Sequence, residues 1–497
     1  MLRPQEIITL KAMELITELK DLVGEKNVIH DASLLKAFSE DFSISPSSMP
    51  DYAVKPKDKG EIQEIVKIAN RENIPLIPVS SGVHFNGTTI PSKGGIVVDL
   101  RRMDRVLEID ERNRMARIEP GVTWGKLQEE LEKLGLTAFN PLLPHHEKSA
   151  LTSLLEREPM LVPKFEYADP VLTMEVVLPT GDILRTGSAS VQSVTNEDVL
   201  VDMVCPYGPG MDFFRLFQGA QGTLGIVTWA ALKIEHFSKL RKVYFLCNND
   251  IERLKEAMYR IQQLMIGNEC FILNSLNLSL ILSENSNSDF FALSDNLPGF
   301  VLFICLAGSL RKPEEKLAYQ DEALKKVANE LSFEIHEDLP GCDRGKEIIP
   351  SILRSPWLNR STYWKNRFKK YFTEITFLTT FDKITMFRDV VFKLSSDLGY
   401  NKREIGIYLQ PVEYGRACYC QFLFFYESKE GNEFKRIKKL DLKIRNTLSA
   451  EGVHFNNPYG DWGKELFNMA KPYRNSLIKI KNIFDPKGIM NPGRLCF

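Results

Sequence analysis

The spacing of apolar and polar positions along the first 235 residues predicts alternating helices and strands. Residues up to about 42 favour helix, and a stretch rich in Ser and Pro follows at 43–56. Positions 62, 65, 66, 68 and 69 are apolar at helical spacing, and the run IPLIPV after them predicts a strand that ends in a turn of small residues. Short strands at 94–118 and a helix at 122–135 continue the alternation, which favours an α/β unit.

The pattern changes after a second glycine-rich segment. Residues 172–186 predict a β-hairpin, and a short helix, the run GAQGTLG and the strand IVTWAALKI lead to about Glu235. Longer helices at 250–265 and 313–331 and strands at 299–307, 405–412 and 418–426 then predict an α+β unit. We therefore expect an α+β fold with a helical extension at 1–45, units at 46–237 and 238–445, and a closing segment at 446–497.

The composition is that of a folded, soluble chain. Apolar residues make up 43% of the 497 residues and charged residues 26%, which excludes wholesale disorder. Lys and Arg number 64 against 65 Asp and Glu, unlike the balance of a dedicated nucleic-acid binder. The first residues lack the apolar core of a signal peptide, and the longest apolar run, at 301–307, is too short to cross a bilayer. We expect a cytoplasmic protein with no membrane span and no nucleic-acid partner.

The cysteines give no metal-binding or disulfide pattern. There are eight, without a C-x-x-C spacing, so we expect no metal. Cys418 and Cys420 lie two apart in a strand-like run, and we expect both to be buried as small apolar side chains.

Two glycine-rich segments are candidates for phosphate binding. The first, VSSGVHFNG at 79–87, follows a predicted strand, so it is either an anion-binding nest of backbone N–H groups or a plain turn. The second, GAQGTLG at 219–225, lies between a helix and a strand, the reverse of the order in a nicotinamide-binding Rossmann motif. Its glycines instead favour a close approach of the backbone to a flat ligand or to another strand.

Several segments together resemble a known FAD-binding family. LIPVSSGVHFNG, GIVVDLRRMDRVLEID, PTGDILRTG, FQGAQGTLGIVTWAALKI and FDPKGIMNPGRL are similar, in this order, to segments of the family that contains vanillyl-alcohol oxidase, p-cresol methylhydroxylase (PCMH) and the FAD-linked D-lactate and glycolate dehydrogenases. The likeness covers about 52–235 and the last 20 or so residues. It implies a PCMH-type FAD-binding domain of two α/β subdomains, an α+β cap that binds substrate, and FAD as cofactor.

Within that family, residues 206–212 and 149–157 resemble the vanillyl-alcohol oxidase and PCMH branch, while other features depart from it. Ser80-Ser81 stands where Arg-Gly is more usual, and the His-rich metal motif of the lactate and glycolate branch is absent. Asn456, Asn457 and Tyr459 occupy the stretch where the phenol-oxidising branch has a Tyr-Arg pair. The substrate therefore stays open.

The resemblance implies a set of residues that contact FAD. They lie in the first loop, around the predicted helix at 149–157, in the second glycine segment and at the C-terminal return. The set is Val79, Ser80, Ser81, Gly82, Val83, His84, Gly87, Pro144, Ser149, Thr152, Ser153, Gly222, Thr223, Gly225, Ile226, Val227 and Arg494.

Three groups are candidates for chemistry at the flavin. His145 and His146 point in opposite directions in an extended loop, so either one of them is the general base or both are solvated. His84 in the first loop either forms a covalent bond to the flavin 8α-methyl group or donates to phosphate. Tyr408 and Gln410 share one strand face beside a turn that holds Arg416, which either pairs with a substrate carboxylate or is a solvated turn residue.

The expected activity is dehydrogenation of an alcohol, a 2-hydroxy acid or a para-substituted phenol by hydride transfer to flavin N5. Electrons then pass to a cytochrome, an electron-transfer flavoprotein, an iron–sulfur protein or dioxygen, within a homo- or hetero-oligomer. Residues 357–372 interleave aromatic and basic side chains, so they either dock that partner or line substrate access. The alternatives are a flavin-dependent reductase or synthase, and a non-catalytic or electron-relay subunit.

Overall fold

A computed structural model of the chain describes residues 4–164, 170–191, 203–283, 287–342, 353–358 and 362–497. Its strands form three sheets, of four, six and six strands. The first two sheets come from the half of the chain before residue 237, and the third comes from residues 241–426.

The first sheet is mixed and has the order β1-β2-β4-β3, with β2 and β3 parallel to β4 and β1 antiparallel to β2. Helix α3 joins β2 to β3. It begins at Asp58, whose carboxylate accepts from the Glu61 N–H, and ends at Asn73, which has a left-handed φ of 55°. The elements are α1 (Pro4–Val23), β1 (Val28–Ile29), α2 (Ala32–Leu35), β2 (Tyr52–Val54), α3 (Lys59–Glu72), β3 (Leu76–Val79) and β4 (Ile96–Asp99).

The second sheet is antiparallel and has the order β5-β6-β10-β8-β9, with β7 also paired to β10. Its buried face packs against α4 and α5. The elements are β5 (Val106–Asp110), β6 (Met115–Ile118), α4 (Trp124–Glu132), β7 (Leu136–Ala138), α5 (Ala150–Leu155), β8 (Val171–Val177), β9 (Ile183–Arg185), α6 (Phe214–Phe217) and β10 (Ile226–His236).

The third sheet is antiparallel and has the order β11-β13-β12-β15-β16-β14. One face packs against α7, α10, α11 and α12, and the other is rich in aromatic side chains and contacts Leu143 and Leu161 of the preceding half. The strands are β11 (Arg241–Asn248), β12 (Glu269–Asn274), β13 (Phe300–Ala307), β14 (Tyr371–Thr379), β15 (Ile405–Val412) and β16 (Ala417–Tyr426). The helices are α7 (Ile251–Gln263), α8 (Ser275–Leu282), α9 (Asn287–Asn296), α10 (Pro313–Glu330), α11 (Ile384–Asp397), α12 (Gly431–Ala450), α13 (Gly460–Met469) and α14 (Lys471–Phe484).

The structure confirms most elements that the residue pattern predicts, including α3, β3, the β8–β9 hairpin, β10, and the β15–β16 hairpin. The expectation of helix up to residue 42 is confirmed for α1 and α2 and is wrong at Val28–Ile29, where β1 pairs with β2 as an edge strand of the first sheet. Cys418 and Cys420 are buried, as expected. Within the described ranges, no helix has both the length and the apolar character needed to cross a membrane.

The C-terminal segment returns to the first sheet. Met490 forms a parallel bridge with Leu76 of β3, and the Leu76 N–H donates to the Ile489 carbonyl at 2.8 Å. Lys481 is buried and its Nζ donates to the carbonyl oxygens of Thr223 and Met490, at 2.6 and 2.9 Å. The second glycine segment is thereby fixed beside β3.

Candidate functional site

A cavity of about 120 Å³ lies where the first loop, α5 and the second glycine segment meet. We call it the small cavity. Seven residues from the predicted FAD-contacting set line it: Ser80, His84, Thr152, Gly222, Gly225, Ile226 and Val227. The structure thus brings together the two glycine-rich segments, which are separated by more than 130 residues in the sequence.

The first loop is tied to the start of α5 by side-chain hydroxyls. The Ser80 and Thr152 hydroxyl oxygens are 2.5 Å apart, and the Ser149 N–H donates to the Ser81 hydroxyl at 3.3 Å. Ser149 also caps α5 by accepting from the Thr152 N–H. These bonds explain the unusual Ser80-Ser81 pair as a link between the two subdomains.

His84 is buried with one ring nitrogen unpartnered. Its Nε2 lies 2.8 Å from the Ser81 carbonyl oxygen, which can only accept, so Nε2 carries the proton. Nδ1 therefore presents a lone pair, and it has no hydrogen-bond partner among the described residues. Burial lowers the pKa of His84 to about 4, so the ring is neutral at pH 7 and cannot donate to phosphate through Nδ1.

The remaining predicted FAD contacts divide into two groups. Pro144 and Arg494 line a second, larger cavity. The others line neither cavity and hold the loops in place: Val79, Ser81, Gly82, Val83, Gly87, Ser149, Ser153 and Thr223. The Gly87 N–H, for example, donates to the Asp41 carboxylate at 2.6 Å, and the Ser153 hydroxyl accepts from the Trp124 indole at 2.9 Å.

The large cavity, about 500 Å³ in volume, lies between the aromatic face of the third sheet and the loop at 141–148. Its wall combines a group of aromatic rings with charged side chains. Six of the rings are those of Phe85, Tyr363, Trp364, Phe372, Tyr408 and Tyr419. Glu156 and Tyr459 line both this cavity and the small one, so the two spaces meet at these residues.

His145 and His146 point in opposite directions. His145 lines the large cavity with its ring 5.2 Å from that of Tyr363, whereas His146 is buried against Gly125 of α4 and bonds to Glu147. The Glu147 N–H donates to His145 Nδ1 at 3.1 Å, so the neutral ring carries its proton on Nε2. Burial lowers the pKa of His145 to about 4. This geometry makes His145 a hydrogen-bond donor toward the cavity rather than a general base.

Tyr408, Gln410 and Arg416 do not act as one group. Tyr408 lines the large cavity, and its hydroxyl donates to Gln410 Oε1. Gln410 is buried behind it and donates to the Met160 carbonyl, so it holds the tyrosine in place. The side chain of Arg416 is 82% exposed at the β15–β16 turn, pairs with Glu413, and does not line either cavity.

A buried cluster of charge lies at the junction of the cavities. Lys148, with a side chain 2% exposed, is 2.7 Å from Glu156 and also contacts Glu158. Burial raises the pKa of Glu156, while Lys148 opposes that rise. Among cavity carboxylates, Glu156 therefore combines a buried position beside both spaces with an increased affinity for protons.

Two further cations of the large cavity are also paired with carboxylates. Lys365 is 2.5 Å from Glu374, which also accepts from the Gln421 amide at 2.8 Å. Arg445 is 3.0 Å from Asp441. In the 357–372 segment, Tyr363, Trp364 and Lys365 are buried around this cavity, which favours the cavity-lining interpretation; residues 359–361 lie outside the described part of the chain.

Several residues of the site were not predicted from the sequence. Lys148 and Glu156 lie eight positions apart around α5, and Asn491 reaches the small cavity from the C-terminal return. The sequence signal for the first pair is the segment at 149–157, which contains Glu156. No cluster of potential metal ligands occurs in the ranges that the structure describes.

Comparisons with known proteins identify FAD as the cofactor. A model of the FAD binding domain matches residues 50–187. The chain is 32% identical over 225 residues to the glycolate oxidase subunit GlcD of Bacillus subtilis, which covers 44% of each protein. It is 24% identical over 493 residues to D-2-hydroxyglutarate dehydrogenase of Stutzerimonas stutzeri, covering 97% of this chain and 98% of the relative. The crystal structure of substrate-bound p-cresol methylhydroxylase matches with a TM-score of 0.83 at 18% identity, over 97% and 96% of the two chains.

These comparisons confirm the expected PCMH-type FAD fold. The match to the Bacillus subtilis protein spans less than half of that relative's length, and the structural likeness, at 18% identity, concerns the fold alone. The residues present fit a dinucleotide: two cavities meet at Glu156 and Tyr459, and the small one is lined by His84 and Asn491, whose Nδ1 and Oδ1 acceptors have no partner among the described residues. The small cavity and the first loop are where the chain would hold FAD.

The lowered pKa of His84 predicts a pH-dependent stability. An unfolded histidine titrates near 6.5 and folded His84 near 4, so between these values the unfolded chain binds more protons. We expect the contribution of His84 to the free energy of unfolding to be fully present above pH 6.5. As the pH decreases to 4, the free energy of unfolding should fall by up to about 3 kcal/mol per such histidine. Urea unfolding of His84→Gln across this range should show a clearly smaller fall. The exposed His30, changed to Gln, is the control, and equal slopes for all three proteins would refute the assignment.

Proposed function

Since this chain contains an FAD-binding domain, we propose that the protein is an FAD-dependent oxidoreductase that dehydrogenates an organic substrate in the large cavity, with a para-substituted phenol as the first candidate. The observation that carries the proposal is that Glu156 and Tyr459 join the small cavity to a larger, aromatic one. Bound FAD supplies a ring nitrogen, N5, that accepts hydride. The remaining tasks belong to the chain: to bind the substrate, orient it and take up a proton.

The charges of the large cavity support an uncharged aromatic substrate. Lys148, Lys365 and Arg445 are each neutralised by a carboxylate of the chain, so none offers a free positive charge to a substrate carboxylate. The aromatic wall offers apolar contact area and ring stacking instead. A phenol fits this environment better than a small hydroxy acid does.

A 2-hydroxy acid is the second candidate, favoured by two observations. The chain is similar over nearly its full length to D-2-hydroxyglutarate dehydrogenase. In addition, Arg494 at the large cavity donates to the Ile90 carbonyl, while its buried Nε has no partner among the described residues. That N–H is a possible donor to a substrate carboxylate.

In this proposal, one polar side chain orients the substrate and another accepts its proton. His145 donates from Nε2 to an oxygen of the substrate and so orients it. Glu156 accepts the proton that the substrate releases, because its raised pKa brings it closer to ambient pH than an exposed carboxylate. Tyr408, held by Gln410, and Tyr363 complete the wall that excludes water.

Anoxic titration tests the proposal. The visible spectrum of the purified protein should show oxidised flavin, and a 4-alkylphenol should bleach it in the absence of oxygen, whereas lactate and glycolate should not. Bleaching by a hydroxy acid alone would transfer the assignment to the second candidate. Flavin that none of them reduces would favour a reductase, a synthase or a non-catalytic subunit.

Glu156→Gln and Glu158→Gln form a matched pair for the proton acceptor. Both carboxylates contact Lys148, but only Glu156 lines both cavities. We expect Glu156→Gln to slow flavin reduction by about 10²–10⁴-fold and to abolish the decline in rate at low pH. Stopped-flow reduction under anoxia measures this. Equal losses in the two variants would show that the charge cluster acts only in packing.

We further propose that His84 is the attachment point if the flavin is covalent. His84 lines the small cavity, and its buried Nδ1 has no hydrogen-bond partner among the described residues. Acid precipitation should then leave yellow flavin with the protein, and His84→Gln should release it to the supernatant. Complete release from the unmodified protein would remove this proposal and leave Nδ1 as a hydrogen-bond acceptor.

The division of the chain at residues 45, 237 and 445 is also a proposal, supported by the start of the third sheet at Arg241. A cytochrome, an electron-transfer flavoprotein, an iron–sulfur protein and dioxygen are the proposed electron acceptors, and the assembly is proposed as a homo- or hetero-oligomer. Reoxidation of the reduced protein by each acceptor distinguishes among them.

A further inference from the structure

Asn491 joins the two glycine-rich segments through a single amide group. Its Nδ2 donates to the Thr88 carbonyl at 2.9 Å and to the Gln221 carbonyl at 2.7 Å. Thr88 directly follows the first loop, and Gln221 lies inside the second segment. One side chain from the C-terminal return thereby holds together the two segments that line the small cavity.

The position of this side chain is fixed by its backbone. The Asn491 N–H donates to the Leu76 carbonyl at 2.9 Å, which attaches the residue to β3. Its φ of 38° is left-handed, a conformation that asparagine tolerates better than most residues. Next to it, a Cβ added to Gly222 would lie only 2.5 Å from Pro78 Cγ, so glycine at this position permits the close approach of the second segment to β3.

The two carbonyl partners also fix the orientation of the amide. A carbonyl oxygen only accepts, so the nitrogen of Asn491 must face both partners, and its two hydrogens are used. Oδ1 then points away from them. It is buried, lacks a partner among the described residues, and belongs to a side chain that lines the small cavity. A buried acceptor left without a donor costs roughly 1–3 kcal/mol, which a bound donor group removes.

We propose that Asn491 Oδ1 accepts a hydrogen bond from a hydroxyl or amino group of the bound dinucleotide, and that Asn491 thereby connects the two segments to FAD. The pyrophosphate is excluded as the partner, because it carries no proton at neutral pH. Ribose, ribityl and adenine amino groups are the donors that FAD offers. The inference rests on the FAD-binding domain and not on the proposed reaction.

The neutral His84 supports the same chemistry. Its Nδ1 is the other unpartnered acceptor of the small cavity among the described residues. Two buried acceptors on side chains that line one cavity suit the hydroxyl and amino groups of a sugar or base edge.

Flavin binding tests the inference without any substrate, so failure of the proposed reaction does not affect the result. We expect Asn491→Ala to raise the FAD dissociation constant of the apoprotein about tenfold or more, measured by quenching of flavin fluorescence. The control is Asn70→Ala, whose amide donates to the Pro179 carbonyl at 2.9 Å away from both cavities. It should lower the thermal midpoint and leave FAD affinity unchanged. If the flavin is tethered, all variants are made in a His84→Gln background.

If Asn491→Ala does not fold, the inference is tested on the unmodified protein by changing the ligand. The unmodified apoprotein is titrated with FAD and with analogues that lack a ribityl hydroxyl, a ribose hydroxyl or the adenine amino group. We expect one analogue to bind about tenfold more weakly than FAD, and Asn491→Ala, where it folds, not to discriminate against that analogue. Equal affinity for all analogues, or a loss of stability in Asn491→Ala with unchanged FAD affinity, would show that Asn491 only joins the two segments. Either result would overturn the inference.

Discussion

The buried ammonium group of Lys481 is the interaction on which the arrangement of the site depends. It pairs with Asp485 at 2.5 Å and donates to carbonyl oxygens of the second glycine segment and the C-terminal return. Asp485 in turn accepts from the N–H groups of Ile489 and Met490. An ammonium ion is costly to bury unless its donors are all used, so this network has few alternative geometries. The network therefore fixes the second glycine segment and the C-terminal return, both of which line the small cavity.

Local patterns in the sequence predict much of the fold, because several helices have one buried and one solvated face and buried strands such as β15 and β16 are short apolar runs bounded by a turn. Helix α3 shows this clearly, since its apolar positions repeat at helical spacing. The pattern fails for a helix that is buried on all sides. Helix α8 is such a case: residues 276–282 are all buried, so its sequence carries no helical periodicity and it was not predicted.

The candidate site was predictable in outline and not in its charges or tautomers. The opposite directions of His145 and His146 follow from an extended loop, but the role of His145 depends on the Glu147 N–H, which occupies its Nδ1. The net charge of -1 says nothing about which cations are neutralised inside the cavity. Asn491 was not predicted because its two partners lie 403 and 270 residues earlier in the chain.

That separation has a consequence for biosynthesis. A ribosome that adds about 5–20 residues per second needs roughly 20–80 s to pass from Thr88 to Asn491. Throughout that interval the nascent chain displays the first loop and β3 without the amide that closes them, and a product that stops before residue 491 never acquires it. The small cavity, which Asn491 lines, therefore cannot be complete before the C-terminal return has been synthesised.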